Sequence, residues 1–206
     1  MGGIYALGSR CYAKSPNRLF AHQLGDGFVI VGESRSFSLE QPAIVGILLL
    51  RQVLRAGGVA RGAISEGDFA DISSYYPEHI QDLHNQSSGG PIQLGEGLMT
   101  ILPVMGTALI NSFRLLDQSP KGPLLLISER DRSRLPGFVR TKSCGNLISI
   151  DWVHSSHPVL DDTARRAGFS PSNCESLYDL FSRYVSSNEV PAEWRDNASA
   201  HLGFPR

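Results

Sequence analysis

Leu19-Phe20-Ala21-His22-Gln23-Leu24-Gly25-Asp26-Gly27-Phe28-Val29-Ile30-Val31 sets two short apolar runs on either side of Gly-Asp-Gly. Asp-Gly between apolar runs is the strongest short-range hairpin signal, because the tight turn joining two twisted strands needs residues that tolerate positive φ. The segment predicts two antiparallel strands with Asp26 at their tip. Downstream, Ser38-Leu39-Glu40-Gln41 is a capping-box pattern that satisfies free amides at a helix start. Between Ala43 and Leu54 the apolar residues Ile44, Ile47, Leu48, Leu50 and Leu54 are dense and nearly all-round, which predicts a well-buried helix. Gly57-Gly58 supply its left-handed stop.

Val59 to Ser65 reads as a strand interrupted at Gly62, where side-chain bulk is excluded. Asp71 to Gly97 is polar and rich in Ser, Gly and Asn, and reads as a long surface excursion. A second helix is expected over Leu98 to Leu116, kinked or started afresh at Pro103 and Gly106. Leu124–Ser128 and Leu147–Val153 read as strands, and the tail as helices from Ser176 to Val185 and from Ala192 to Leu202. The order strand-strand-helix-strand-helix-strand, then a further strand and terminal helices, predicts an α+β fold of split βαβ units, a mixed sheet with helices on one face. Residues 1–155 form the main unit of this reading, and 156–206 a helical extension packed on the same domain.

With 206 residues, 41% hydrophobic and 19% charged, the chain has the length and composition of one globular domain. A net charge of −1 gives no electrostatic reason to expect nucleic acid. Arg130, Arg132 and Arg134 read as a solvated loop. Cys11, Cys144 and Cys174 are odd in number and widely spaced, which argues against a disulfide framework and against a cysteine zinc site. No long apolar run and no signal-peptide pattern is present, so the expectation is a soluble cytoplasmic protein without a membrane partner.

Three segments can carry chemistry. Asp26 sits where a carboxylate between two strands can ligate a hard divalent cation, although Asp-Gly is also what a type I′ turn prefers. Arg61-Gly62-Ala63-Ile64-Ser65-Glu66-Gly67-Asp68 places a guanidinium on a strand of small residues, or an ordinary salt-bridged arginine on a surface strand. Arg114, within Gly106-Thr107-Ala108-Leu109-Ile110-Asn111-Ser112-Phe113-Arg114-Leu115, is either a solvated helix arginine or a fork of donors suited to phosphoryl charge. His154 and His157, three apart in a Ser/Pro loop, read as solvated, as do His79 and His84. Tyr75 and Tyr76 read as loop anchors, with base stacking as the alternative.

Taken in order, the Gly25-Asp26-Gly27-Phe28 hairpin, the Arg61-Gly62-x-Ile64-Ser65-x-Gly67 strand and the Gly106…Arg114-Leu115 helix resemble the class III adenylate/guanylate cyclase homology domain. The later Ser149-Ile150-Asp151-Trp152-Val153 strand and the helix containing Trp194 look most like the bacterial pyrimidine (uridylate/cytidylate) cyclases of Pycsar anti-phage systems. The resemblance spans Phe20 to Trp194. It implies a ferredoxin-like domain that turns UTP or CTP into the 3′,5′-cyclic nucleotide and pyrophosphate, with Mn2+ or Mg2+. It further implies a head-to-tail homodimer in which Asp26 of one copy holds metal opposite the transition-state arginine, Arg114, of the other. Phe20, His22 and Arg61 are the substrate-binding positions it assigns, and the product would act on a downstream cyclic-nucleotide-sensing effector.

The departures are specific. His22 stands where purine cyclases carry a base-reading lysine, which speaks against ATP and GTP. Ile110 replaces the asparagine four places before the arginine, with Asn111 one place off. No Asp or Glu precedes Asp26, so the family's first strand and its metal-binding carboxylate are expected to be missing, with Met1 to Ser15 matching the later part of the following helix. Asp68, Asp71 and Glu33 are conceivable substitutes without a spacing argument. Two other readings stay open: a catalytically inactive cyclase-like dimerisation or regulatory module, and an unrelated ferredoxin-like binding domain.

Overall fold

The computed structural model describes residues 2–12, 19–24, 27–32, 38–86, 92–94, 97–99, 104–170 and 173–205. The opening hairpin forms as its pattern dictates. β1 (Leu19–Leu24) pairs antiparallel with β2 (Gly27–Gly32) in a register of Phe20 with Val31, His22 with Val29 and Leu24 with Gly27. Upstream, the expected helical segment is α1 (Gly2–Leu7) followed by a π-helical turn over Gly8–Tyr12.

α2 (Glu40–Arg55) is the buried helix read from the all-round apolar run, and eight of its residues are buried. Its start departs from the capping box. Ser38 Oγ accepts from the Glu40 amide at 3.2 Å, Leu39 is the cap residue, and the side-chain amide nitrogen of Gln41 is buried without a partner among the described residues. Gly57, at φ 82°, ends the helix as read.

The main sheet has the order β3-β8-β10-β9, with β3 (Gly62–Ala63) parallel to β8 (Leu125–Ser128) and β10 (Leu147–Ile150) antiparallel to both β8 and β9 (Thr141–Cys144). The chain is therefore α+β. Leu125, Leu126 and Ile127 on β8, and Leu147, Ile148, Ser149 and Ile150 on β10, are all buried. Successive strand residues point to opposite faces, so both faces of this sheet are covered, where the sequence pattern had suggested one. α2 covers one face at very close range, since a Cβ on Gly46 would stand 2.8 Å from Leu125 Cδ2.

The excursion after Asp71 holds more structure than its polarity suggests. β4 (Ala70–Asp71) pairs with β7 (Val104–Met105), a 3-10 turn covers Ser73–Tyr75, and α3 (Glu78–Gln86) follows. β5 (Ile92–Leu94) pairs with β6 (Gly97–Met99). Ile80 and Ile92, with Tyr76 and Leu83 against them, make a small second cluster. The helix expected from Leu98 starts only at Thr107, as α4 (Thr107–Gln118), because Leu98 and Met105 are committed to strand pairing and Gly106 restarts the chain.

The tail carries α5 (Pro158–Ala167), unanticipated, then α6 (Cys174–Ser187) and α7 (Ala192–Leu202). One hydrophobic cluster runs from Leu7 through α2, β8 and β10 to Leu177, Phe181, Leu202 and Phe204, so these helices share the core of the sheet. No described helix is long and apolar enough to cross a membrane.

Candidate functional site

Two arrangements of polar side chains stand out. The first joins the loop that follows β3 to the start of α4. Ser65 Oγ donates to the Ala108 carbonyl at 2.6 Å, and Asn111 Nδ2 donates to the Glu66 carbonyl at 3.2 Å. The Ala108 amide donates to the Asp68 carbonyl at 3.2 Å, and the Asp68 amide donates to Thr107 Oγ1 at 2.9 Å. Two glycines make this approach possible. A Cβ on Gly106 (φ 142°) would overlap the Asp68 carbonyl oxygen, and one on Gly67 (φ 152°) would overlap Thr107 Oγ1. Only glycine accepts such backbone angles without strain. The Arg61–Asp68 and Gly106–Arg114 segments, singled out separately in the sequence, are thus one fastened unit.

Arg61 is half-buried and donates from Nη2 to the Leu116 carbonyl at 3.0 Å, near the far end of α4. Arg114 is exposed on the same helix. Phe20 and His22 lie on β1, paired with Val31 and Val29 of β2. Asp26 and Glu33 lie outside the described residues, and Asp68 is exposed. Arg134 is not the solvated arginine expected of its loop: both its terminal nitrogens bond the Glu66 carboxylate, and Nη1 also reaches Asp131 Oδ1 at 3.4 Å. The Arg134 hydrogen bonds hold the Glu66 pKa below the usual carboxylate range.

The second arrangement is one the sequence reading passed over. β10 ends at Ile150, and the chain turns at once through Asp151-Trp152-Val153-His154-Ser155. Ser155 returns its amide and its hydroxyl to the Asp151 carbonyl at 3.0 and 2.7 Å, and Ser155 Oγ accepts from the Arg140 amide at 3.0 Å. Trp152 Nε1 donates to the Pro123 carbonyl at 2.8 Å. From α2, Arg51 is 7% exposed and donates to the carbonyls of Trp152, Val153 and Ser155 at 2.7, 3.2 and 2.6 Å. Burial lowers the pKa of Arg51, with Cys174, Asp161 and Asp151 pulling the other way. A buried cation thus clamps the outward-facing carbonyls of a tight turn.

That turn sets a hydrogen-bonded chain of three side chains. The Asp151 residue is 5% exposed, and its carboxylate accepts from the His154 amide at 3.1 Å and faces His154 Nδ1 at 2.9 and 3.0 Å. A carboxylate only accepts, so Nδ1 is a donor, and in the neutral ring Nε2 is then the acceptor. Tyr178, on α6, brings its hydroxyl to 2.7 Å from Nε2, where it donates to the neutral ring. Burial, then the neighbouring Cys174 and Asp151, raise the Tyr178 pKa above that of a free phenol. His154 is therefore not a solvated loop histidine. The available signal was Asp151 directly after Leu147-Ile148-Ser149-Ile150, a strand run with three apolar residues in four, since a carboxylate pulled into a core must find a donor.

The other histidines and tyrosines are placed more simply. His157 caps α5, accepting at Nδ1 from the Val159 amide at 3.3 Å, and stacks on Phe138. His79 is exposed on α3, where His84 is half-buried rather than solvated. Tyr76 anchors the small cluster, whereas Tyr75 is 84% exposed and anchors nothing by burial. All three cysteines are free. Among the described residues no three His, Cys, Asp or Glu side chains come together to hold a metal ion. No protein-family model, curated protein or solved structure matches this chain.

Proposed function

We propose that the chain is a pyrimidine nucleotide cyclase of the class III type. It adopts the ferredoxin-like cyclase homology fold, acts as a cytoplasmic homodimer on UTP or CTP, and makes a second messenger that a downstream effector senses in antiviral defence. The observation that carries the reading is the β3–α4 unit. Two motifs of the expected order, separated by 43 positions at Ser65 and Ala108, are bolted together by hydrogen bonds and glycine contacts. Arg114 projects from the helix of that unit, and the β1–β2 hairpin that carries Asp26 precedes it in the chain.

In this reaction the ribose 3′-hydroxyl oxygen attacks the α-phosphorus and loses its proton to solvent, the bond from that phosphorus to the bridging β-phosphate oxygen breaks, and pyrophosphate leaves. Arg114 supplies donors to the charge that grows on the phosphoryl oxygens. His22 and Phe20 are the residues assigned to the base, and an imidazole N–H suits the carbonyl edge of a pyrimidine. A divalent cation, when bound, neutralises the leaving pyrophosphate. Its expected ligand, Asp26, lies outside the described residues and the described ones offer no converging set. No step is therefore assigned to it.

The test is incubation of the purified chain with manganese and ATP, GTP, CTP or UTP separately, with cyclic products identified by mass spectrometry. Cyclic UMP or CMP alone is expected, and Arg114→Ala abolishes it. Absence of any cyclic product overturns the proposal. It would favour the second reading, a cyclase-like dimerisation or regulatory module without turnover, for which Arg61's engagement with the Leu116 carbonyl already speaks.

A further inference from the structure

Outside the β3–α4 unit, the Asp151–His154–Tyr178 chain has the connectivity of a nucleophile, a base and an orienting acid. The hydroxyl donates to an imidazole whose other nitrogen is held by a buried carboxylate. The parts are fixed from several sides. Arg51 clamps the turn, Asp151 receives both the ring and the amide of His154, and Tyr178 is held by edge contacts with His154 and Phe204. Tyr178 and His154 are both half-buried rather than sealed in. Gly203, at φ 73°, is the backbone beside them, and a Cβ there would stand 3.1 Å from both His154 Cε1 and the Tyr178 hydroxyl. Glycine keeps that flank clear.

We propose that Tyr178 is a nucleophile for acyl transfer, with His154 as its general base and Asp151 as the positioning residue. The phenol oxygen attacks the acyl carbon and forms the ester bond. The bond from that carbon to the leaving group breaks, and the phenol proton passes to His154 Nε2 and on to the leaving group or solvent. The raised pKa of Tyr178 is no obstacle, because the base removes the proton as the oxygen attacks. A neutral acyl carbon is the electrophile that fits. The Asp151 carboxylate behind the ring disfavours an incoming phosphate anion. This inference is independent of the nucleotide reading and uses none of its assigned site residues.

The experiment treats the full chain with p-nitrophenyl acetate, follows nitrophenolate release, and maps O-acetyltyrosine by peptide mass spectrometry. Tyr75, with 84% exposure, is the internal control for ordinary phenol reactivity. Tyr178 is expected to acetylate about a hundredfold faster than Tyr75, and His154→Phe to remove that advantage while Tyr75 is unchanged. Asp151→Asn should lower the Tyr178 rate and move the ring proton from Nδ1 to Nε2 in nitrogen-15 imidazole spectra. Tyr178 reacting no faster than Tyr75 in the unaltered protein overturns the proposal without recourse to any variant. So does an advantage that survives His154→Phe.

Discussion

Gly106→Ala tests the junction on which the functional reading stands. The new Cβ would overlap the Asp68 carbonyl oxygen and lie 2.7 Å from the Asp68 carbonyl carbon and 2.9 Å from Phe69 Cα. Real Cβ atoms do not approach that closely, so the 67–69 loop and the start of α4 must part. Two costs follow. Gly106 sits at φ 142° and ψ 164°, a region that side-chain-bearing residues occupy only at about 1–3 kcal/mol. Separation also breaks the Ala108–Asp68 and Asp68–Thr107 hydrogen bonds, at roughly 0.5–1.5 kcal/mol each. The sum is about 4 kcal/mol, a large part of the roughly 5–15 kcal/mol that holds a domain folded. Gly145→Ala is the matched control, with a positive φ of 63° but nothing within 4 Å of the added carbon, and should cost only about 1 kcal/mol. Urea unfolding compares the midpoints at constant slope. If Gly106→Ala cannot be purified folded, Thr107→Val removes one hydrogen bond alone and should cost about 1 kcal/mol. A Gly106→Ala midpoint equal to that of Gly145→Ala would refute the close-packed junction.

Other perturbations probe the frame around it. Arg51→Met leaves three buried carbonyls without their donor and should destabilise by about 3 kcal/mol in the same assay, net of the desolvation it relieves; a loss below about 1 kcal/mol would show the clamp to be idle. Phe204 is 1% exposed and stacks on Phe181 at 4.0 Å, so Phe204→Ala should cost about 3–5 kcal/mol, visible as a lower thermal midpoint. Burial, reinforced by the Lys142 cation, lowers the pKa of His201 below its ordinary value. The unfolded chain then binds the proton more readily, so stability is full above about pH 6.5 and falls as pH drops through the folded value. His201→Gln should flatten that part of the stability–pH curve, and an unchanged curve would contradict the assignment.

The sequence was most legible where one local rule met no competitor. The β1–β2 hairpin follows from Asp-Gly between apolar runs, and α2 from an apolar face too broad for anything but a buried helix. α7 begins and ends at Ala192 and Leu202, where the pattern put it. It misled where pairing partners lie far along the chain. Leu98 and Met105 carry helical spacing toward Leu116, yet their strands pair with Ile92–Leu94 and with Ala70–Asp71, and that pairing keeps the helix from starting before Thr107. α3 was hidden because its apolar face is little more than Ile80 and Leu83 in a polar stretch. His154 was misjudged for a similar reason: its partners are Asp151, which reads as part of a strand from Leu147 to Val153, and Tyr178, 24 residues on. Nothing in a Ser/Pro-flanked histidine reveals a tyrosine arriving from a later helix. Arg114 and Arg61 were found, but only the fold shows that one is exposed and the other is tied to its helix.

The most direct measurement mixes two damaged copies. Asp26→Ala and Arg114→Ala, each inactive alone with UTP, CTP and manganese, are combined in equal amounts and allowed to exchange subunits. If each reaction centre is shared between Asp26 of one copy and Arg114 of the other, mixed dimers keep one undamaged centre and about a quarter of the original cyclic-nucleotide output returns. Output that stays at zero after subunit exchange has been verified would contradict the shared centre. Full turnover by either variant alone would do the same.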